Sequence, residues 1–338
     1  MKAMVLEAPN DVELENVERP NVDGGDSIIR VTHAGVCGTD FKIYTGGIPA
    51  QYPLIMGHEM IGEVVEAATS DSPQAGTRVI VDPVFFCGEC FHCKVGQTNL
   101  CMNGGLVGRD RDGGFAEYLA AMPGYLYPLP DTISDQAGPL LQVLTTCLHA
   151  QNMANVSPGD TVVVLGLGVT GLLHVQLARA LGAKTVIGIT RSQWKRDVAD
   201  SLGADLTLAP GEDTKGKVLE LTGGVGADLV IESVGTLGTL ASAMDLVRLG
   251  GRVLAYGIQT NTEGALPFYD MYFKEIQFVN ARAARAKDYP ACIDLVGSGK
   301  VDLDRVISNV VPLDKLDDAL DMVANEAPQR MKIILEHI

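Results

Sequence analysis

The 338-residue sequence predicts an α/β fold in which a mostly-β part precedes a doubly wound parallel sheet. Residues 1–150 contain short alternating segments, such as IGEVVEAA and GFAEYLAA, broken by Gly and Pro, as in strands joined by turns. From about residue 160, apolar runs such as TVVVLG alternate with helical patterns, which indicates the strand–helix units of a parallel sheet. We therefore expect a β domain at 1–150, an α/β domain at 151–284 and a C-terminal segment at 285–338.

Charge and hydropathy limit the partners that this chain can have. The formal charge of −16 argues against nucleic acids and anionic membranes, because both are polyanions. No apolar run approaches the length of about eighteen residues that a membrane-spanning helix needs. The opening MKAMVLEAPNDVELE lacks the apolar region of a signal peptide. These features predict a cytoplasmic protein.

The segment CGECFHCKVGQTNLC places four cysteines close together, at Cys87, Cys90, Cys93 and Cys101. In a reducing compartment, clustered cysteines are more often metal ligands than disulfides. Four thiolates close a tetrahedral zinc shell without an open position, so we predict a structural zinc lobe at 84–104. An iron–sulfur cluster is the rival, but ferredoxin runs continue C-x3-C-P, whereas Met102 follows the last cysteine here.

The stretch VVVLGLGVTGLLHVQ contains G-x-G-x-x-G between an apolar strand and an amphipathic helix. In that context the glycines permit a tight turn and close approach of a pyrophosphate, which the free N–H groups of the helix N-terminus face. The alternative is a glycine-rich turn without a ligand. The predicted dinucleotide-binding turn consists of Gly166, Leu167, Gly168, Val169, Thr170 and Gly171.

The end of the next predicted strand indicates which dinucleotide binds. NAD-binding folds normally carry Asp or Glu there, to accept a hydrogen bond from the ribose 2′-hydroxyl. This chain has Thr190, followed by Arg191 and Ser192, with Lys195 and Arg196 nearby. A missing carboxylate and several added cations favour the 2′-phosphate of NADP over NAD. The alternative is that these cations only coat the start of a helix.

Two glycine-rich loops of the N-terminal part carry residues that can hold a metal. AGVCGTD contains Cys37 and Thr39, and the GHE sequence contains His58 and Glu59. A thiol, an imidazole and a carboxylate before a nucleotide-binding fold form a candidate catalytic metal site.

Along the chain, the motifs follow in the order AGVCGTD, GHE, the four-cysteine lobe, GGFAEY, GLGVTG and the terminal MKIIL. In these motifs and their order, essentially the whole chain resembles the zinc-dependent medium-chain dehydrogenase/reductase superfamily, which includes alcohol and polyol dehydrogenases. The resemblance implies a GroES-like catalytic domain that the C-terminal segment completes, a Rossmann coenzyme domain and an active site in the cleft between them. It also implies two zinc ions per chain, one catalytic and one structural.

The resemblance assigns roles to individual positions. Cys37 and His58 would bind the catalytic zinc, and Thr39 would pass the substrate proton outward. Glu59 would be either a ligand or a nearby swinging carboxylate. Thr146 would contact the nicotinamide, and Lys332 lies where a cation often reaches the coenzyme.

The sequence departs from the family pattern at two positions. The remaining zinc-ligand position, usually Cys, Asp or Glu, aligns with Gln142, and Lys42 occupies the position of a relay histidine. One thiolate with neutral His and Gln would leave Zn²⁺ with a charge of +1, and adding Glu59 would bring the set to zero. This charge count predicts Glu59 as a direct ligand, with a water molecule in that position as the alternative.

The implied activity is hydride transfer between NADP(H) and an alcohol, polyol or sugar hydroxyl, or the matching carbonyl. The alternatives are a zinc-free quinone or enoyl reductase, which would lack Cys37 and Glu59, and a non-catalytic nucleotide-binding protein of the same fold. A homodimer or homotetramer is the family expectation. The polar loop at 108–114 slightly favours hydroxylated substrates.

Overall fold

The computed structural model describes residues 1–22, 25–211, 213–259, 263–325 and 329–337. The strands in chain order are β1 (Lys2–Ala8), β2 (Asp11–Asn16), β3 (Ser27–Val36), β4 (Leu54–Ile55), β5 (Met60–Glu66), β6 (Arg78–Val81), β7 (Val84–Phe85), β8 (Gly105–Leu106), β9 (Tyr118–Ala121), β10 (Leu126–Pro128), β11 (Thr161–Leu165), β12 (Thr185–Ile189), β13 (Leu206–Leu208), β14 (Ala227–Glu232), β15 (Val247–Ala255), β16 (Gln277–Asn280), β17 (Ile307–Pro312) and β18 (Lys332–Glu336). The helices are α1 (Gly38–Tyr44), α2 (Phe91–Lys94), α3 (Leu140–Met153), α4 (Val169–Ala180), α5 (Gln193–Ser201), α6 (Thr214–Leu221), α7 (Leu237–Leu246), α8 (Phe268–Phe273), α9 (Asp288–Gly297) and α10 (Leu316–Ala324). None of these described helices is long and apolar enough to cross a membrane.

The chain divides into two compact units. The first contains Met1–Thr145, Arg285–Gly297 and Leu303–Ile338, and the second contains Thr146–Ala284 and Ser298–Asp302. The boundary at Thr145 falls inside α3, whereas the sequence pattern placed it at residue 150.

A mixed sheet forms the centre of the first unit, with strand order β10-β6-β5-β3-β18-β17 and β9 paired to β3. The C-terminal β18 lies antiparallel to β3, with Ile333 opposite Val36. Ile29, Met60 and Leu335 are buried in the core on these strands. Because of this pairing, the start of β18 lies beside the end of β3, where the first candidate metal loop begins.

A six-stranded parallel sheet forms the second unit, in the order β13-β12-β11-β14-β15-β16. Val162, Val163 and Val164 of β11 are fully buried, as expected for a strand covered on both faces. The strand order reverses beside β11, and ligands of such sheets bind outside the carboxyl ends of the strands at that point. The predicted α/β fold class is confirmed.

A buried carboxyl group joins α9 to the rest of the first unit. Asp82, 5% exposed, accepts hydrogen bonds from the Val84 N–H (2.9 Å) and the Tyr289 hydroxyl (3.3 Å). The Tyr289 ring stacks on Tyr127 at 4.6 Å. Burial raises the pKa of Asp82 to about 7, although both hydrogen bonds lower it, and the charge of Asp288 adds to the increase.

This raised pKa predicts that stability depends on pH. Between about pH 4 and pH 7 the unfolded chain loses the Asp82 proton while the folded chain keeps it, so the free energy of unfolding falls as pH rises, by at most about 1.4 kcal/mol per unit. Asp82→Asn retains the acceptor oxygen and cannot ionise. We expect the variant to gain stability relative to the wild type from pH 5 to pH 8 in urea titrations. Parallel pH profiles for the two proteins would contradict this role of Asp82.

Candidate active site

The first candidate metal loop begins where β3 ends. Cys37 precedes α1, and its N–H donates to Asp40 Oδ2 at 2.8 Å. Asp40 is fully buried, and its Oδ1 lies 3.0 Å from His58 Nδ1. Since Nδ1 faces a carboxylate, Nε2 of His58 is the ring nitrogen left for a metal, a common arrangement in metal sites.

The structure brings three predicted metal-site residues together. Ligand atoms of Cys37, His58 and Glu59 all lie within 4.8 Å of one another. Glu59 is fully buried, and its Oε2 forms an ion pair with Lys332 Nζ, which is also buried. A Cβ atom at Gly35 would collide with both side chains, so glycine at this position leaves space for the pair.

The charges around this group fit a divalent metal. With Cys37 as thiolate, Cys37, Asp40 and Glu59 carry three negative charges against one positive charge on Lys332, which leaves two negative charges when His58 is neutral. Burial opposes a charged His58, but the Asp40 carboxylate more than offsets burial and raises the pKa of His58 well above its usual range. The site therefore attracts a cation, and a thiolate, an imidazole and a carboxylate are donors that zinc accepts.

The four-cysteine lobe forms the second group of candidate ligands. The Sγ atom of Cys90 lies 3.5 Å from that of Cys93 and 3.9 Å from that of Cys101. The Sγ atoms of Cys101 and Cys87 are 3.5 Å apart. Zn–S bonds of about 2.3 Å in a tetrahedron place the sulfurs roughly 3.8 Å apart, which matches these separations. Backbone N–H groups, chiefly that of Met102, lower the pKa of Cys90 to about 6 and so favour its thiolate.

The glycine turn between β11 and α4 has the conformation that the motif predicts. Gly166 has a φ of 90°, and a Cβ there would lie 2.5 Å from the Val234 side chain. A Cβ at Gly171 would collide with the Gly166 carbonyl. Gly168, which precedes α4, has open space around it: a Cβ there would meet no described atom within 4 Å. Packing therefore requires two of the glycines, and the third leaves space for a ligand.

A cavity of about 740 Å³ lies beside this turn, within the second unit. Its lining includes Gly166, Leu167, Gly168, Thr190, Arg191 and Lys195. Arg196 instead donates to the carbonyls of Thr190 (2.6 Å) and Arg191 (3.0 Å). Ser192 caps α5 by accepting from the Lys195 N–H. Among the described lining residues there is a further cation, Lys215, which belongs to none of the sequence motifs.

Three other predicted site residues belong to helices α1 and α3. The Thr146 hydroxyl lies 2.7 Å from the Tyr256 hydroxyl, Gln142 is buried on α3, and Thr39 is half-buried on α1. Their assignments as nicotinamide contact, zinc ligand and proton relay stay predictions. Lys332 contacts Glu59, and its predicted role as a coenzyme contact is also untested.

Comparisons with known proteins agree with this geometry. A model described as alcohol dehydrogenase GroES-like domain matches residues 23–131, and one described as zinc-binding dehydrogenase matches residues 168–298. A sorbitol dehydrogenase of Halalkalibacterium halodurans is 30% identical to this chain over 344 residues, and the match covers 100% of each protein. The chain belongs to the zinc-dependent medium-chain dehydrogenase/reductase superfamily. This medium-chain dehydrogenase is a zinc-binding oxidoreductase of the alcohol and polyol dehydrogenase type.

Two solved structures resemble the medium-chain dehydrogenase closely. A protein of Sinorhizobium meliloti 1021 described as a zinc-binding dehydrogenase, bound to NADP, has a TM-score of 0.93 and 34% identity, and the match covers 99% and 98% of the two chains. An alcohol dehydrogenase of Escherichia coli CFT073 in complex with NADH has a TM-score of 0.92 and 26% identity, covering 99% of each chain. The fold therefore accommodates either coenzyme in relatives, and residues of this chain must decide between them.

Sequence reasoning missed two residues of these sites, Asp40 and Lys215, and one contact, that of Lys332 with Glu59. Asp40 stands in the CGTD sequence, and its spacing from Cys37 is that of a helix-capping pair, a signal that could have identified it. The contact of Lys332 with Glu59, and the position of Lys215 in the cavity, have no local signal because they depend on tertiary structure.

Proposed function

We propose that this dehydrogenase transfers a hydride between NADP(H) and a polyol or sugar hydroxyl, or the matching carbonyl. The observation that carries the coenzyme assignment is the cavity beside the glycine turn. At the position where an NAD-binding fold normally has a carboxylate it presents Thr190, and Arg191, Lys195 and Lys215 add positive charge. The sorbitol dehydrogenase relative and the polar loop at 108–114 support a hydroxylated substrate.

We further propose two zinc ions per chain. Cys37 and His58 would hold the catalytic ion with Gln142, and Glu59 would join them in at least one state. In the alternative, Glu59 would keep its ion pair with Lys332, and a water molecule would be the remaining zinc ligand. Cys87, Cys90, Cys93 and Cys101 would hold the structural ion.

Each residue of the catalytic group has a separate task in this proposal. Bound zinc supplies Lewis-acid chemistry, which lowers the pKa of a substrate hydroxyl or polarises a carbonyl. Asp40 fixes the orientation of the His58 ring, and Lys332 balances the buried charge of Glu59. The Thr39 hydroxyl takes the substrate proton away from the reacting oxygen.

The alternative functions fit this chain less well. A zinc-free quinone or enoyl reductase does not need the Cys37, His58 and Glu59 group or the four-cysteine lobe. A non-catalytic nucleotide-binding protein is suggested only by Gln142 at a ligand position. A cytoplasmic location is part of the proposal, because thiolate metal sites persist in reducing compartments.

A homodimer or homotetramer is also part of the proposal. β16 is an edge strand of the six-stranded sheet, and Phe278 on it is 37% exposed. The neighbouring α8 exposes Phe268, Tyr269, Tyr272 and Phe273. Unpaired strand edges and apolar side chains of this kind favour association with a second chain.

Steady-state kinetics with both coenzymes test the proposed function. In a screen of polyols and sugars, we expect a higher kcat/KM with NADP than with NAD. Thr190→Asp with Arg191→Ile adds a ribose acceptor and removes a phosphate-binding cation, and it should move the preference toward NAD. A wild-type preference for NAD would refute the coenzyme assignment.

A further inference from the structure

Lys215 lies outside the predicted phosphate-binding segment at residues 190–196, but it lines the cavity beside the glycine turn. Lys215 lies in the first turn of α6, the helix that follows β13, and it lines the cavity together with Arg191 and Lys195. These cations come from two different segments, each of which follows one of the neighbouring strands β12 and β13 and leads into or lies on the next helix. Parallel strands bring their carboxyl ends to one edge, so residues distant in sequence can bind one ligand there.

Lys215 has a carboxylate partner within the cavity. Its Nζ lies 2.5 Å from Asp245 Oδ1. Asp245 is the second-last residue of α7, and it also lines the cavity. Both side chains are about half exposed, at 49% and 53%. An ion pair with this exposure contributes little to stability, so the lysine can exchange Asp245 for another anion at small cost.

The charges of Lys215 and Asp245 affect how strongly the cavity can bind a phosphate group. An unneutralised Asp245 would repel a phosphate, and Lys215 cancels that repulsion. Lysine also binds phosphate directly as a point charge, and a phosphate dianion attracts it more strongly than one carboxylate does. The lysine can therefore act in two ways: it neutralises Asp245 and it offers a cation to the ligand.

We propose that Lys215 is a specificity-determining residue for the 2′-phosphate of NADP, and that Asp245 holds it in place and competes with the phosphate for it. This inference rests on the NADP function proposed above. It adds a third cation from α6 to Arg191 and Lys195, and it gives the cavity a built-in competitor for the phosphate.

The test measures binding of adenosine 2′,5′-bisphosphate and of 5′-AMP to the full-length, zinc-loaded protein by calorimetry. Lys215→Gln should weaken binding of the bisphosphate roughly tenfold, the effect of losing one charge-assisted contact, and change 5′-AMP binding little. Asp245→Asn should tighten bisphosphate binding, since it removes the competing anion.

Lys217→Gln is the matched control. Lys217 lies on the same helix, its side chain has the same 49% exposure, and it pairs with Asp213 at 3.3 Å without lining the cavity. Its replacement removes the same net charge and should leave both affinities unchanged. Equal losses for the two lysine variants would mean that only the overall charge matters, which overturns the proposal.

The two proposals fail in different ways. A wild-type protein that binds the bisphosphate no more tightly than 5′-AMP would refute the NADP assignment itself. A wild type that prefers the bisphosphate, with a Lys215→Gln variant that keeps the full preference, would refute the role of Lys215 alone. Should Lys215→Gln fold poorly in thermal melts, Asp245→Asn decides the question, and weaker or unchanged binding by that variant counts against the proposal.

Discussion

Replacement of Cys37 by serine is expected to lower kcat/KM by roughly a thousandfold or more, because Lewis-acid stabilisation of the reacting oxygen is worth several kcal/mol. The fold should tolerate the change. The N–H of residue 37 still donates to Asp40, and serine is a favourable residue before a helix such as α1. Activity should therefore fall while the thermal midpoint stays close to that of the wild type.

Elemental analysis tests the cause of that loss. We expect about two zinc ions per chain in the wild type and about one in Cys37→Ser, because the four-cysteine lobe is unchanged. A variant that retained two zinc ions, or kept wild-type turnover, would show that Cys37 does not hold the catalytic metal.

Replacement of Cys90 by serine should have the opposite outcome, a large loss of stability with turnover retained by the folded fraction. The lobe has little apolar core of its own, since no residue of α2 is buried and Phe91 is 68% exposed. In small metal-binding segments of this kind, metal binding supplies much of the folding free energy, about 10 kcal/mol or more in isolated zinc-binding peptides. The variant should melt at lower temperature and become sensitive to proteolysis within residues 84–104.

Cys37→Ser and Cys90→Ser serve as controls for each other, because each should lose one zinc ion. Cys37→Ser should lose turnover and keep its thermal stability, whereas Cys90→Ser should lose thermal stability and keep turnover. Limited proteolysis with mass spectrometry locates the first cleavage, and activity is normalised to the intact fraction. Loss of turnover in Cys90→Ser at an unchanged thermal midpoint would contradict a purely structural lobe.

The sequence alone predicted the α/β fold class and the family, and both are confirmed. It also identified the four-cysteine lobe and the glycine turn as candidate sites. These features are local: three of the four cysteines follow one another with only two residues between neighbours, so they converge within one short segment, and the positive φ of Gly166 belongs to a single turn that favours glycine. Patterns of this kind can be recognised without knowing which distant segments meet.

Only the tertiary structure decided which charges surround the candidate sites. Lys332 reaches Glu59 because β18 pairs with β3, and this register places the C-terminal strand beside the first metal loop. Lys215 and Arg191 line the same cavity because parallel strands align their carboxyl ends at one edge of the sheet. Sheet pairing joins segments far apart in sequence, and no local spacing encodes it, so the charge balance at both sites had to come from the fold.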